Sequence, residues 1–186
     1  MKILTYVLIG VVAAIVVWVV YAYNRLVTYR LRAHEAISDI DVQLKRRYDL
    51  IPNVVETVKG YMQHERQVLE NVTAARAMVA SGGGDPIERA GNENVLSSTL
   101  KTLFAVSENY PDLKANANFL DLQRELADTE NKIQASRRFY NTTVRDYNTS
   151  IKVFPTNLIA GWFKFTDEKF FEVESAEEKE PVKVSF

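Results

Sequence analysis

Residues 24–58, NRLVTYRLRAHEAISDIDVQLKRRYDLIPNVVETV, decide the fold. Apolar side chains recur at Leu26, Ala33, Ile37, Ile40, Leu44 and Ile51, at spacings of three, four and seven, which make one face of a helix. Arg30, Arg32, Glu35, Asp39, Asp41, Lys45 and Arg46 fall on the outer face. Pro52 then interrupts the pattern. Proline removes a helix hydrogen bond and biases the residue before it away from helical angles. The reading is therefore a helix over 24–49, a chain reversal at 48–53 and an antiparallel second helix, with Asp49 as its cap and Pro52 in its first turn. One unbroken rod over 24–80 would be about 85 Å long, and no other segment is long enough to cover it.

Upstream, Ile3 to Tyr23 contains no charged residue. About 21 residues rising roughly 1.5 Å each span about 31 Å, the thickness of a bilayer's hydrocarbon core. Trp18, Tyr21 and Tyr23 stand near its end, where interfacial aromatic belts lie. Tyr21-Ala22-Tyr23-Asn24 follows in place of a small-x-small cleavage site, which favours a retained anchor over a signal peptide. Arg25, Arg30 and Arg32 after the span, against Lys2 before it, place the body in the cytoplasm and the chain in the inner (cytoplasmic) membrane as a single-pass protein.

Downstream, the second helix covers 53–80 on Val55, Val58, Met62, Val68, Leu69, Val72, Ala75 and Val79. Ser81-Gly82-Gly83-Gly84-Asp85-Pro86 ends it, because consecutive glycines cost a helix too much backbone entropy. A third helix over 87–108 rests on Leu96, Leu100, Leu103, Phe104 and Val106, and Asn109-Tyr110-Pro111-Asp112 makes a second sharp connection. The fourth helix, 112–151, repeats Phe119, Leu126, Ile133, Tyr140 and Tyr147 every seven residues, a period that implies left-handed packing. Thr129, Glu130, Ser136, Arg137 and Thr143 flank that seam and point to internal hydrogen bonds or a contact with another subunit. The expected fold is all-α: a transmembrane helix over 1–23, an antiparallel, up-down four-helix bundle over 24–152, and an irregular tail over 153–186, aromatic first and acidic from Glu172 to Glu180.

Composition narrows the function. The 186 residues hold 47% hydrophobic side chains, enough for a core, and the net charge of −1 offers no basic field for nucleic acid. The absence of cysteine excludes thiolate chemistry and Cys-ligated zinc. His34 and His64 lie in neither an HExxH nor a Glu-x-x-His pattern, so no metal site and no cofactor is expected. Asp39 and Asp41 point to different sides of a helix and make no catalytic pair. The GGGDP loop lacks the Gly-Lys-Ser/Thr of a phosphate-binding loop.

Lys45-Arg46-Arg47 reads as a positive last turn complementing the helix dipole. Arg47 lies close to the apolar stripe, where an inward acid, Glu130 or Glu108, is its expected partner. Arg47, Glu108, Glu130, Arg137 and Tyr140 form the candidate polar network. Trp18, Tyr21, Tyr23, Trp162, Phe163 and Phe165 are the candidate membrane-interface or docking residues. The tail aromatics are expected either at the headgroup level or in an apolar groove of the bundle or of a neighbouring subunit.

Several longer strings resemble the LemA family of bacterial membrane-associated proteins: Asn24-Arg25-Leu26-Val27, DIDVQLKRRYDLIPNVVE over 39–56, Val58-Lys59-Gly60-Tyr61, His64-Glu65, ENYPDLKAN over 108–116, Thr129-Glu130-Asn131-Lys132-Ile133, Arg137-Arg138-Phe139-Tyr140-Asn141 and Tyr147-Asn148. The resemblance covers about residues 24–170. It implies an N-terminal membrane anchor and an antiparallel helical bundle, and it implies no agreed biochemical activity. The residues point to a non-enzymatic, membrane-tethered helical scaffold or adaptor that works through homo-oligomerisation and protein docking. The competing reading is a membrane-bound enzyme, or a regulator of one, using an Arg/Glu/Tyr network in the bundle.

Overall fold

A computed structural model describes residues 2–82 and 84–171. The acidic end of the tail, Glu172 to Glu180, lies outside the described residues. Among the described residues the chain is all-helical, with no strand: α1 (Lys2–Lys59), α2 (Arg66–Ser81), α3 (Ala90–Ser107), α4 (Pro111–Lys114), α5 (Ala117–Lys152) and α6 (Thr156–Trp162). The all-α expectation holds, including the long apolar N-terminal helix. Residues 153–171 are less irregular than expected, since α6 occupies their centre.

The break at Pro52 does not occur. α1 runs through it to Lys59, so the helices expected over 24–49 and 53–80 and the reversal at 48–53 are corrected. Two features offset the proline. The buried positions Ile40, Leu44, Arg47, Ile51, Val54 and Val58 keep one continuous phase across it while Pro52 itself faces solvent. The carbonyl that Pro52 cannot serve, that of Tyr48, accepts a hydrogen bond from Arg76 Nε at 3.3 Å. The same guanidinium lies 3.9 Å from the centre of the Tyr48 ring, a cation–π contact. The chain turns instead at 60–65, where Tyr61 and Met62 N–H both bond the Val58 carbonyl. The length argument also changes. α5 has 36 residues, as many as α1 has from residue 24 to Lys59.

The described residues form two compact units, 2–39 with 135–170 and 40–134 with Phe171. In the second, Ile51, Val54 and Val58 of α1, Val72, Ala75 and Val79 of α2, Leu96, Leu100 and Leu103 of α3, Leu113 of α4, and Phe119 and Leu126 of α5 close on one core. Burying such side chains stabilises by roughly 1.5–3 kcal/mol each. The turns of this unit are tied to one another: Asn116 Nδ2 donates to Tyr61 Oη at 3.0 Å, and Tyr110 Oη donates to Glu65 at 3.3 Å. Phe119 N–H bonds the Asn116 side chain, which caps the start of α5. In the first unit Leu26, Tyr147, Ile151 and Ala160 form the core, with Tyr29 and Phe165 against it.

The seven-residue seam of α5 is buried from Phe119 to Tyr147. Its polar flank turns inward on its own helix: Thr129 and Thr143 donate to the carbonyls of Glu125 and Phe139. These hydroxyls therefore need no second subunit.

Candidate functional site

Arg47 is the largest fully buried side chain, 1% exposed, and it sits among acids from two other helices. α1 places it inward because it continues the stripe at Leu44 and Ile51. α3 supplies Glu93 and Ser97, and α5 supplies Glu130. Arg47 Nη2 donates to Glu93 Oε2, its tightest contact, while Nη1 donates to Glu130 Oε2 at 2.6 Å and Ser97 Oγ at 2.7 Å. Glu93 is as buried as Arg47, whereas Glu130 keeps one edge in water. Glu93 stands in the first turn of α3, where the helix dipole favours a carboxylate.

Both carboxylates are engaged with the one guanidinium, whose planar fork only donates. The arrangement is thus a clamp joining α1, α3 and α5, not a proton-transfer pair. A cavity of about 280 Å³ beside Glu93 is lined by Asp41, Leu44, Lys45, Tyr48, Val79, Ala80 and Arg89, and not by Glu130 or Tyr140. At its rim Arg89 pairs with Asp41 at 2.5 Å.

The expected network is only partly assembled. Arg47 meets Glu130, but Glu108 does not join them: it pairs with Lys114 at the surface, because it stands at the end of α3. Arg137 and Tyr140 belong to the other unit, where Tyr140 Oη donates to the Lys169 carbonyl at 2.7 Å. The dipole reading of the basic triplet also fails, since the helix continues past it: Arg46 pairs with Glu125 at 2.7 Å, Arg47 is buried, and Lys45 lines the cavity. Sequence reasoning missed Glu93. Its signal was its place on the stripe with Leu96, Leu100 and Leu103.

In the other unit, α5 grips the chain after α6. Asn148 holds the main chain of Glu168 at both ends, its Nδ2 donating to the carbonyl at 2.8 Å and its Oδ1 accepting the N–H at 2.9 Å. Tyr147 Oη donates to the Thr166 carbonyl at 3.0 Å. Arg30–Glu168 and Lys152–Asp167 ion pairs flank the grip. Chain direction is set just before it, where Phe165 N–H bonds Ala160 O and Lys164 N–H bonds Gly161 O, with Lys164 in the left-handed region at φ 56°.

Burial, chiefly, pushes the Tyr147 phenol above its ordinary value of 10.0. A raised acid favours the protonated form in the fold, and only that form can donate to Thr166. The contribution is therefore complete below pH 10 and is lost as pH rises through the raised value. Tyr147→Phe should cost about 1 kcal/mol at neutral pH and remove this part of the alkaline loss, as read by melts of wild type and variant above pH 10.

The interface candidates fall in or beside this unit's α1 and α6. Trp18 is half-buried and Tyr21 exposed. Tyr23 packs on Phe163 and Phe165 at centroid distances of 4.7 and 5.8 Å. Trp162 stands in the open.

These features define a class: an all-helical protein whose apolar first helix marks it as membrane-associated, with a body held by a buried arginine–carboxylate clamp. The chain belongs to the LemA family, whose model matches residues 36–186. It is 29% identical to Protein LemA of Metamycoplasma hominis over 74% of this chain and 63% of that one. It is 23% identical to Magnetosome protein MamQ 2 of Paramagnetospirillum magneticum over 89% of this chain and 70% of that one. To Magnetosome protein MamQ of Magnetospirillum gryphiswaldense it is 23% identical, over 80% and 64%. The chain thus spans less than two thirds of the length of Protein LemA.

Proposed function

We propose that this protein is a non-enzymatic, single-pass membrane-tethered scaffold or adaptor that acts by self-association and by docking other proteins. One observation carries the reading: the exposed apolar segment and the packed body share a single helix, Lys2–Lys59. A helix of that kind carries the chain from the apolar segment into the body. The flanking Arg25, Arg30 and Arg32 support a cytoplasmic body at the inner membrane. Short connections at 60–65, 82–89 and 108–116 suit an antiparallel four-helix arrangement of the segments 40–59, 66–81, 90–107 and 117–134. The ties between the turns at 60–65 and 110–116 support it. The most buried charges are spent on one another, as suits a structural body, and none of the relatives' names denotes an enzyme.

The surface offered to a second copy is the groove between α1 and α2, about 630 Å³, where Val55, Met62, Leu69, Ala74 and Ala77 present an apolar floor between Lys59, Arg66 and Glu70. Mixed charges at the rim of an apolar centre suit a self-complementary interface. Ala74→Glu, on the exposed side of α2, should abolish self-association of the intact chain while leaving its helical content unchanged. Unaltered association in that variant would show that the groove is not the interface.

A further inference from the structure

We infer that α6 and the residues just before it rest in the headgroup layer of the membrane that α1 enters. The inference rests on reading residues 3–23 as membrane-crossing. α6 is apolar on two sides. Ala160 packs with Leu26, Tyr147 and Ile151, and Ile159 is buried too. Phe154, Leu158 and Trp162, spaced by four, lie along the other side and are 77%, 61% and 83% exposed. Val153 beside them is exposed as well. Protein from the described residues thus covers one side only.

The depth of this face is fixed by a contact. The Phe163 ring lies 4.7 Å from that of Tyr23, which closes the apolar part of the uncharged run that begins at Ile3. A run of about 20 apolar residues fills the hydrocarbon core, so Tyr23 emerges at its boundary. Phe163, and Trp162 next to it, must share that level. Aromatic rings with a polar edge are favoured there, and a lysine can extend from the same depth to the headgroup phosphates, the position Lys164 holds one residue beyond Phe163. The grip on residues 166–169 by Tyr147, Asn148 and Tyr140 holds the chain after α6 against α5, so this face is presented in a fixed place. The apolar residues of the tail thus divide: Phe165 packs on protein, whereas Phe154, Leu158 and Trp162 meet lipid.

The test uses the full chain in phosphatidylcholine–phosphatidylglycerol vesicles carrying lipids brominated near the ester or near the methyl end. Trp18→Phe leaves Trp162 as the sole tryptophan, and Trp162→Phe leaves Trp18. Trp162 should emit to the blue of its value in water and be quenched most by the shallow bromines; Trp18, further down α1, should be quenched more by the deeper ones. Trp162 unquenched while Trp18 is quenched would overturn this inference alone: a water-like emission would mean solvent, a blue one a protein cover. Trp18 unquenched by either lipid would overturn the tether and the inference together. If the tryptophan variants fold poorly, a nitroxide at Leu158→Cys, the sole thiol in a chain without cysteine, reads the same depth. Collisions with an aqueous nickel chelate should fall well below those of a nitroxide at the exposed Lys101→Cys, and equal collisions at the two positions would overturn the inference.

Discussion

Arg47→Met should destabilise the protein by about 3–5 kcal/mol, the cost of leaving a buried charge without its partner. The cause is Glu93, as buried as Arg47 itself, whose carboxylate would lose its ion-pair partner in a dry site. Glu130 suffers less because its edge reaches water. The sign of the partner substitution separates this account from one of lost packing. Arg47→Met with Glu93→Leu should recover most of the loss, because a buried ion pair replaced on both sides by apolar groups is often neutral. Arg46→Met, one residue away, breaks the exposed Arg46–Glu125 pair and should cost far less. Denaturant unfolding of the detergent-solubilised chain measures all three. A loss at Arg47 as small as that at Arg46 would show that the clamp does not hold the helices.

The second large effect concerns Pro52. Proline inside a helix costs about 3 kcal/mol or more, and here part of that cost is offset by Arg76, which takes the Tyr48 carbonyl and lies over the Tyr48 ring. Pro52→Ala supplies the missing N–H at an exposed position and should raise stability by up to about 3 kcal/mol. Arg76→Ala should lower it by about 1–2 kcal/mol in the wild type through the lost hydrogen bond and cation–π contact. In the Pro52→Ala background the hydrogen-bond share of that loss should vanish, since the Tyr48 carbonyl would then be served within α1. The double-mutant cycle reads this coupling. Strict additivity would mean that Arg76 does not compensate for the proline.

The Pro52 result also shows where the sequence was readable. The phase of Leu44, Ile51, Val54 and Val58 runs unbroken across the proline, and it outweighs the local rule that ends a helix there. What periodicity does not reveal is the donor 28 residues away that makes the proline tolerable. The α5 seam was visible because a seven-residue spacing survives any error in helix boundaries. The use of its tyrosines was not: their rings follow the apolar period, but their hydroxyls reach main-chain carbonyls at 166 and 169, which no side-chain pattern marks. Arg47 was legible as a charge beside an apolar stripe, and Glu130 as one of two acids within reach. Glu108 was misread because position in sequence does not show that α3 ends beside Lys114. The expectation of self-association first leaned on the polar flank of α5, yet Thr129 and Thr143 satisfy themselves. The α1–α2 groove now carries that proposal.

The central claim is a membrane-tethered scaffold that works by self-association, and the mass of the intact chain in lipid nanodiscs or mild detergent tests it most directly. Across a dilution series the wild type should show a discrete multiple of its 21.2 kDa chain mass, and Ala74→Glu should show the single chain. A single-chain mass for the wild type at every concentration would contradict the account.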